Sequence, residues 1–451
     1  MTVLDHAIVM GGSVAGLLAA AALAPHSRTV TIVDRDELPT DGPAAFGPRR
    51  SVPQAGTVHR LLALGEARME QLLPGLRADL LAAGAAQRGA EDADPVLDAA
   101  APLEGSAAVG RAAASGQAAG DDTAPADGGV SGPAGGVGSE QPSIDEPGTL
   151  WLTRPLLEGV LRRRVLALPG VEVRQGAVGG LLTSEDSRTV TGVQLRGAAG
   201  GELTGDLVVD AAGRSSRAAS WVDKLGAARP RTLSTRVHVA YSSQRLRLRE
   251  GALPAGTESL GVPASGRSPF TIDLEPCGDR EHMLSVAGTG RSEPPTDLEG
   301  LLDMVALLPA RELADALDSA LEGAEPVGKT STAKAAGAHR QLWEEVDGPD
   351  GLVHVGDAAA MFTPLYGQGM AMAAVGAVAL GEQLREGGAD GLAHRFPHAL
   401  AALLDPAWEL TTSRDARIPG AELLVDGVVV EELPAPGSLV GAGQSTGATL
   451  T

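Results

Sequence analysis

The 451-residue sequence predicts an α/β fold: a three-layer, Rossmann-like domain, discontinuous in sequence, with an inserted antiparallel β-sheet domain. Two observations lead to this prediction. Short apolar strands at 7–10, 207–210 and 352–355 each run into a turn that contains glycine. Residues 236–290 consist mostly of segments with period-2 alternation, which is typical of antiparallel strands.

The N-terminal part has the pattern of a β-α-β unit. The strand at 7–10 leads into a glycine turn at 11–16, an Ala- and Leu-rich helix reaches about residue 24, and a second strand ends at Asp34. Leu and Met at three- and four-residue spacing predict a helix over 61–81. Further helices are predicted over 154–168, over 297–322 and from about 369, with strands at 171–182 and 189–195.

Composition excludes several classes of function. The formal net charge of −21 leaves no basic footprint for nucleic acid or for an anionic membrane surface. The basic cluster at 162–164 is interpreted as the solvated face of a helix. A lone cysteine, Cys277, expected in a turn, cannot form an internal disulfide, which favours a reducing compartment. With no signal-peptide pattern and no apolar run of about 18 residues, we expect a cytoplasmic protein.

Residues 89–149 differ from the rest of the sequence. They contain 11 acidic residues against one arginine, Arg111, and are otherwise rich in Ala, Gly, Ser and Pro. Such a segment cannot bury enough apolar surface to offset the entropy of ordering. We therefore predict a disordered acidic insertion here, and a loose tail over about the last 25 residues.

The first glycine turn is typical of a dinucleotide site. Gly11, Ser13 and Gly16 occupy the glycine positions of the G-x-G-x-x-G pattern, with Ser13 in place of the middle glycine. Asp34 ends the second strand, 18 residues after Gly16, where an acid can bind ribose hydroxyls. The motif alone does not separate one dinucleotide from another, and it also fits a tight turn in an unrelated α/β protein.

Two later turns narrow this interpretation. One strand ends at Asp210, before Gly213, and another runs into Gly356 and Asp357. Taken singly, each acid could merely cap the turn that follows it. Three turns of this kind in this order seldom arise by chance.

With these turns the sequence resembles the FAD-dependent monooxygenases of the aromatic-hydroxylase fold. The likeness is greatest to the flavin epoxidases of polyether polyketide biosynthesis, distant relatives of squalene epoxidase. It covers most of residues 5–88, 150–225 and 350–420, and its motifs lie at 52–59, 153–158, 356–370 and 405–410. The stretch 356–370 is the most specific of them.

The resemblance implies a cofactor site. Pyrophosphate would lie on the first glycine turn, the adenosine ribose beside Asp34 and Arg35, and the adenine half near Arg154. Asp357 would bind ribityl or pyrophosphate oxygens, and the flavin ring would lie against the residues that follow. The complete set of cofactor-binding candidates is Gly11, Gly12, Ser13, Gly16, Asp34, Arg35, Arg154, Asp210, Gly213, Gly356, Asp357, Pro364, Gly367, Gly369 and Met370.

The resemblance also implies a reaction: transfer of one oxygen atom from O2, through a flavin hydroperoxide, to a hydrophobic small molecule. Epoxidation or hydroxylation of a polyketide or terpenoid intermediate of secondary metabolism fits best. No catalytic triad is expected, because the cofactor carries the chemistry. His59 is a candidate near the flavin, or a surface or capping histidine, since Thr57 replaces the first histidine of the family's H-x-H. Ala212 replaces the acid of the family's Asp-Gly pair, so electrons could come from NAD(P)H or from a partner flavin reductase.

Three other functions remain open. The same scaffold serves reductases or dehydrogenases of the geranylgeranyl-reductase type, and a flavin-binding protein that has lost catalysis would also fit. A flavin halogenase ranks lower, because the sequence has no W-x-W-x-I-P segment. In the substrate region, strand alternation makes a pocket with few fixed charges the expectation; its candidates are His238, Tyr241, Phe270, His282 and Met283.

These patterns divide the chain into six segments. In order, they are an FAD-binding part at 1–88, the insertion at 89–149, a second FAD-binding part at 150–230, a substrate-binding β-sheet domain at 231–334, a third FAD-binding part at 335–390 and a C-terminal helix with a loose tail at 391–451.

Overall fold

The computed structural model describes residues 3–52, 56, 58–87, 147–197, 200–254, 257–262, 264, 268–278, 280–290, 292–308, 311–335, 337–418 and 420–430. Its strands are β1 (Leu4–Met10), β2 (Ser27–Asp34), β3 (Val58–Leu62), β4 (Ala86–Gln87), β5 (Pro147–Thr153), β6 (Val171–Gln175), β7 (Ala177–Thr183), β8 (Val190–Arg196), β9 (Gly201–Thr204), β10 (Leu207–Asp210), β11 (Thr232–Arg236), β12 (Val239–Arg247), β13 (Leu260–Val262), β14 (Phe270–Gly278), β15 (Glu281–Thr289), β16 (Glu325–Ala335), β17 (His339–Gln341), β18 (Leu352–His354), β19 (Ala360–Met361), β20 (Glu422–Val425) and β21 (Val428–Val430). Its α-helices are α1 (Val14–Leu23), α2 (Ala63–Leu72), α3 (Leu76–Ala82), α4 (Arg154–Leu166), α5 (Ala218–Lys224), α6 (Leu298–Ala306), α7 (Arg311–Leu321), α8 (Gln368–Gly387) and α9 (Leu392–Asp415).

A parallel five-stranded sheet, in the order β18-β10-β1-β2-β6, forms the centre of the molecule. Met10 pairs with both Asp210 and Val33, and Asp210 pairs with His354. The carboxyl ends of β1, β10 and β18 are therefore in register at one edge of the sheet. Because ligands of open α/β sheets bind outside this edge, the register brings the three glycine turns to a shared site.

This sheet is the middle of three layers. Helices α1, α4 and α8 cover one face, and Leu17, Leu157 and Leu380 belong to the core between them. The antiparallel sheet β7-β8-β9 and helix α5 cover the other face, with Val193 and Val222 in contact with the central strands. The predicted three-layer, Rossmann-like arrangement is confirmed.

Antiparallel sheets make up the rest of the described structure. The largest runs β13-β14-β15-β12-β16, and α6 and α7 pack on one of its faces through Leu301 and Leu317. A second five-stranded sheet has the order β19-β17-β11-β20-β21, and a three-stranded sheet has the order β3-β5-β4. The predicted antiparallel component of the fold is also confirmed.

Two predicted helices are interrupted. The pattern over 61–81 is the end of β3 followed by α2 and α3, which separate at Leu73–Gly75, where Gly75 has a φ of 87°. Proline at 74 cannot continue α2, because it lacks the N–H that the helix requires. The pattern over 297–322 is likewise the two helices α6 and α7.

Two side chains lie in environments that the sequence did not predict. Arg162 is 1% exposed, so the basic cluster at 162–164 is not a uniformly solvated face. Cys277 lies within β14 rather than in a turn, and burial raises the pKa of its thiol to about 12. A thiol of that pKa is protonated at neutral pH and is a poor nucleophile.

Two predicted segments fall mainly outside the described residues. The acidic insertion was predicted at 89–149, and only the backbone of its last three residues is described, as the start of β5. Residues 431–451 of the predicted tail are also outside the described ranges, whereas 428–430 form β21. In the part of the chain that is described, no helix has both the length and the apolar character needed to cross a bilayer.

Candidate functional site

The turn between β1 and α1 is built around two glycines. Gly11 has a φ of 106°, a region that L side chains rarely adopt, and a Cβ on Gly16 would lie 1.8 Å from the carbonyl oxygen of Gly11. Ser13 is the N-cap residue of α1, yet its side chain makes no capping hydrogen bond. The first turn of α1 therefore presents N–H groups that an external anion could accept.

The Ser13 hydroxyl is used elsewhere. It donates to Oε1 of Glu158 at 2.5 Å and accepts from Nη2 of Arg154 at 3.0 Å, while Nε of Arg154 donates to the same Glu158 oxygen at 3.0 Å. The serine that replaces the middle glycine thus joins the turn to α4. Arg154, predicted near the adenine half of a cofactor, lies beside the glycine turn itself.

Glu158 is the centre of a buried ion cluster that the sequence did not predict. Arg49 donates to Oε2 of Glu158 from Nη2 at 2.8 Å and from Nε at 3.1 Å, and it also donates to the carbonyl of Gly12. Arg162 approaches the same oxygen at 3.9 Å. Burial alone would raise the pKa of Glu158, but Arg154 and Arg49 outweigh it, so the pKa lies below its ordinary value. The residue is therefore a carboxylate at neutral pH.

Asp34 connects this cluster to the end of β2. Its Oδ2 accepts from the N–H of Gly12 at 2.6 Å, and its Oδ1 accepts from the N–H of Asp36 and lies 3.5 Å from Nη1 of Arg49. Asp34 is buried and sits directly against the glycine turn, which is the position predicted for a ribose-binding acid. Arg35 is exposed, and its side chain lies outside this cluster.

Asp210 has a structural environment. It is completely buried, and it accepts hydrogen bonds from the N–H of Ala212, from the Ser216 hydroxyl and from the His354 ring, whose Nδ1 is 3.2 Å away. The His354 ring stacks on Trp343 with centroids 3.7 Å apart. Any part that Asp210 has in ligand binding is therefore indirect, through the shape of the turn that leads to Gly213.

Asp357 has the opposite environment. It is half-buried, and among the described residues we find no donor to its carboxylate. Cβ atoms placed on Gly213 and Gly369 would lie about 4 Å from it, so two glycines leave the space around it open. Burial raises the pKa of Asp357, with Arg154 acting in the opposite direction. A carboxylate that is desolvated without a donor is suited to binding a ligand hydroxyl.

The loop before α8 is held from below. Pro364–Tyr366 form a short 3-10 turn, and Gly367 then takes the left-handed conformation, with a φ of 66°, to begin α8. The fully buried Asp415 accepts from the hydroxyls of Thr235, Thr363 and Tyr366 at 2.5, 2.7 and 3.0 Å. Three elements are thereby joined to the loop, a network for which the sequence offered no signal. Beyond Gly369, the Met370 side chain is buried in the core.

Strand β3 runs beside this loop. The carbonyl oxygen of Arg60 would lie 3.8 Å from a Cβ on Gly367, and His59, its half-buried neighbour, pairs with Leu152 of β5. The structure thus places His59 one residue from the loop contact. Its part in any chemistry remains a prediction.

The β12–β16 sheet turns one face, which we call the inner face, towards β3 and the loop. Nε of Arg60 lies 2.9 Å from Oε1 of Glu275 on this face, and Tyr241 packs in one cluster with Leu365. Met283 shares the inner face, because it pairs directly with Glu275. Tyr241 and Met283 therefore remain pocket candidates.

The other pocket candidates do not lie on the inner face. Phe270 has the opposite strand parity and packs against the core under α6 and α7. His282 pairs with Leu246, which belongs to that same core, and His238 is exposed between β11 and β12. Alternation correctly grouped residues by face, but it did not identify which face the helices cover.

These features together suit a dinucleotide whose two ends need different contacts. The cradle at Gly11 and Gly16 has no room for side chains and lies at an uncapped helix N-terminus next to Arg49 and Arg154. Some 20 positions of the chain separate the loop at Gly367 from the turn at Gly356, and both turns approach the Asp357 carboxylate, for which we find no described donor. The residues present therefore fit the cofactor that the resemblance implies.

Solved structures place this architecture in a class. A variant of the flavin-dependent brominase Bmp2 is similar, with 13% identity, coverage of 91% of this chain and 87% of that chain, and a TM-score of 0.56. A variant of 2-methyl-3-hydroxypyridine-5-carboxylic acid oxygenase has 18% identity, 90% and 88% coverage and a TM-score of 0.54. The Diels-Alderase PyrE3 of pyrroindomycin biosynthesis has 17% identity, 91% and 72% coverage and a TM-score of 0.55. The chain has the fold of FAD-binding oxygenases and halogenases.

A relative in sequence identifies the family more closely. Protein Rv3254 of Mycobacterium tuberculosis is 30% identical over 424 residues, which is 91% of this chain and 80% of the relative. The chain belongs to the same family as this mycobacterial protein. The name of that relative specifies no reaction, and no protein-family model matches the sequence.

Proposed function

We propose that the chain is an FAD-dependent monooxygenase that transfers one oxygen atom from O2 to a small molecule by epoxidation or hydroxylation. The observation that carries the proposal is the convergence of three glycine turns at the carboxyl edge of one parallel sheet, with a left-handed glycine opening a buried helix beside them. The fold of oxygenases and halogenases supports it.

In this proposal each part of the site holds one part of FAD. The Gly11–Gly16 turn and Arg154 would hold the pyrophosphate, and Asp34 the adenosine ribose. Asp357 would accept a hydrogen bond from the ribityl chain. The segment from Pro364 to Met370 would lie against the flavin ring, where a left-handed glycine lets backbone approach without an intervening side chain.

When bound and reduced, FAD would supply an electron-rich centre that reacts with O2 and delivers an electrophilic oxygen atom. The chain's own residues have supporting parts. The first turn of α8 directs unpaired N–H groups and the positive end of the helix towards the site, which stabilises negative charge there. Asp415 fixes the loop from which α8 begins, and the apolar core beneath Met370 excludes water from that side.

The substrate and the electron donor are also part of the proposal. Resemblance to polyether epoxidases supports a polyketide or terpenoid intermediate, and Ala212 in place of an acid leaves NAD(P)H and a separate flavin reductase as alternative donors. Neither is tested by the fold. Steady-state reduction of the loaded protein by NADPH, with and without an added flavin reductase, separates the two donors.

A halogenase is a second candidate, because the brominase Bmp2 is among the proteins that share the fold. The sequence contains no W-x-W-x-I-P segment, and this favours the monooxygenase. A reductase of the geranylgeranyl-reductase type would share the cofactor site but would not consume oxygen with product formation. Product analysis in bromide-containing and bromide-free buffer distinguishes the halogenase.

The test begins with an absorbance spectrum of the purified protein incubated with FAD. We expect the visible bands of bound oxidised flavin, their loss on anaerobic reduction and oxygen consumption on mixing with aerated buffer. Gly47, a glycine with open space around its Cβ position and an extended backbone, supplies a control: Gly47→Ala should keep flavin and Gly16→Val should lose it. Absence of flavin from the unmodified protein would refute the cofactor assignment. Flavin without oxygen-dependent product would refute the monooxygenase.

A further inference from the structure

The inner face of the β12–β16 sheet has a floor of small and hydroxyl-bearing side chains. Residues directly opposite one another in an antiparallel sheet share a face, so the register defines this floor. Its two central rows are Thr271, Ala287, Tyr241 and Ala333, and then Asp273, Ser285, Ser243 and Ser331.

The floor is only partly covered. Thr271, Tyr241 and Ser285 keep part of their surface exposed, although they lie on central strands between the rest of the sheet and the cofactor-side elements. On the opposite face of the same strands, Ile272 and Val286 are fully buried beneath α6 and α7. The inner face therefore borders a cleft, whereas the outer face borders a packed core.

The cleft has charged residues at one end. Glu275 and Asp273 are almost fully buried, and Arg60 lies 2.9 Å from a Glu275 oxygen and 4.0 Å from an Asp273 oxygen. This departs from the predicted pocket with few fixed charges. Because β14 alternates strictly, the two acids fall on the same face as Thr271.

Hydroxyl groups continue to the end nearest the cofactor loop. Ser243 and Ser285 are hydrogen-bonded to each other at 3.1 Å. The hydroxyl of Tyr241 is buried beside the cluster that includes Leu365, and in the described part of the chain it has no hydrogen-bond partner. The floor thus offers both donors and acceptors along its length.

From this floor we infer that the substrate of the site is an oxygenated molecule, one with hydroxyl or carbonyl groups, and not a bare hydrocarbon; the inference rests on the proposed function. A hydrocarbon laid on the floor would remove water from Ser285, Thr271 and the charged end without replacing any hydrogen bond. Sites that contain such polar groups reject analogues that lack the matching group. Ser285 and Tyr241 are the specificity-determining residues.

The test compares two ligands that differ by one hydroxyl: geraniol and its deoxy analogue, in which a methyl group replaces the hydroxymethyl group. Equilibrium dialysis with gas chromatography measures both without reference to flavin. We expect the protein to bind geraniol about three- to tenfold more tightly, the range for one neutral hydrogen bond. Ser285→Ala and Tyr241→Phe should each reduce this preference.

Ser242→Ala is the matched control, since Ser242 pairs with Val286 on the opposite face and is fully buried. It should keep the preference of the unmodified protein. Equal binding of the two ligands, binding of neither, or the same preference in all variants would overturn the inference. Dialysis with FAD in place of the terpenoids tests the cofactor separately, so loss of FAD binding with retained preference refutes the proposed function alone.

Discussion

Replacement of Glu158 by glutamine should destabilise the protein through the charges that it leaves behind. The side chains of Arg49, Arg154 and Arg162 are 6%, 10% and 1% exposed, and Glu158 contacts all three. With Asp34 and the half-buried acid at position 36, the cluster has three positive and three negative charges. The substitution Glu158→Gln leaves one buried positive charge uncompensated.

The size of the effect follows from burial. Removing one partner of a buried pair costs about 3–5 kcal/mol. With an unfolding entropy of roughly 2 cal/mol/K per residue, this cost lowers the Tm of a chain of this size by about 3–5 °C. Differential scanning fluorimetry of the FAD-free protein at pH 7 measures the shift. Glu322→Gln is the matched control, because Glu322 pairs with Arg249 at 3.1 Å but is 79% exposed, and we expect a loss of at most about 1 kcal/mol.

The pH dependence gives a second, independent signature. A carboxyl group whose pKa is lowered by folding stabilises the folded state fully above its unfolded-state pKa of about 4.3, and this stabilisation is lost as pH falls through the folded-state pKa. The Tm difference between the unmodified protein and Glu158→Gln should therefore be constant from pH 6 to 8 and narrow below about pH 4. Equal shifts for Glu158→Gln and Glu322→Gln, or a difference that grows on acidification, would refute the ion-cluster reasoning.

Three further predictions follow from the site. Gly16→Ala should abolish FAD binding, measured as flavin per protein, because its Cβ would lie 1.8 Å from the Gly11 carbonyl oxygen; retained flavin would contradict the cradle. Asp357→Asn should raise the Tm of the FAD-free protein at pH 7, because burial raises the pKa of Asp357 and its charged form opposes folding. That advantage should vanish below about pH 4, where both proteins are uncharged at this position, and an unchanged Tm at pH 7 would count against it. Asp415→Ala should cost about 3 kcal/mol or more, since three hydroxyl donors lose their acceptor; calorimetry showing less than about 1 kcal/mol would be inconsistent with the network.

The parts of the fold predicted from sequence are those whose signals are local. The strand, glycine turn and helix around Gly11 and Gly16 lie within a short stretch of chain, and so do the turns at Gly213 and Gly356. Periodicity also identified the antiparallel strands. The break at Gly75 was readable from the preceding proline, but Leu and Met spacing alone concealed it.

The parts that were not predicted depend on distant partners. Arg49 and Glu158 meet across 109 positions of the chain, and Asp415 meets Thr235 across 180. No local pattern distinguishes such residues from solvated ones, and Arg162 was misassigned for that reason. The face taken by Phe270 likewise depends on which side of the sheet α6 and α7 cover, which is a property of the tertiary fold.

The pairing of β4 with β5 has a consequence for the history of this chain. Gln87 is opposite Leu150, so the chain leaves the three-stranded sheet and returns to it at neighbouring points. Residues 88–146 could thus have been acquired, lengthened or lost without moving any strand of the core. Each doubling of such a connection costs only about 0.6 kcal/mol when it is flexible. Relatives with a short hairpin at this position would share the same site, and the junction between Gln87 and Pro147 is a natural place to insert a reporter domain or to shorten the chain.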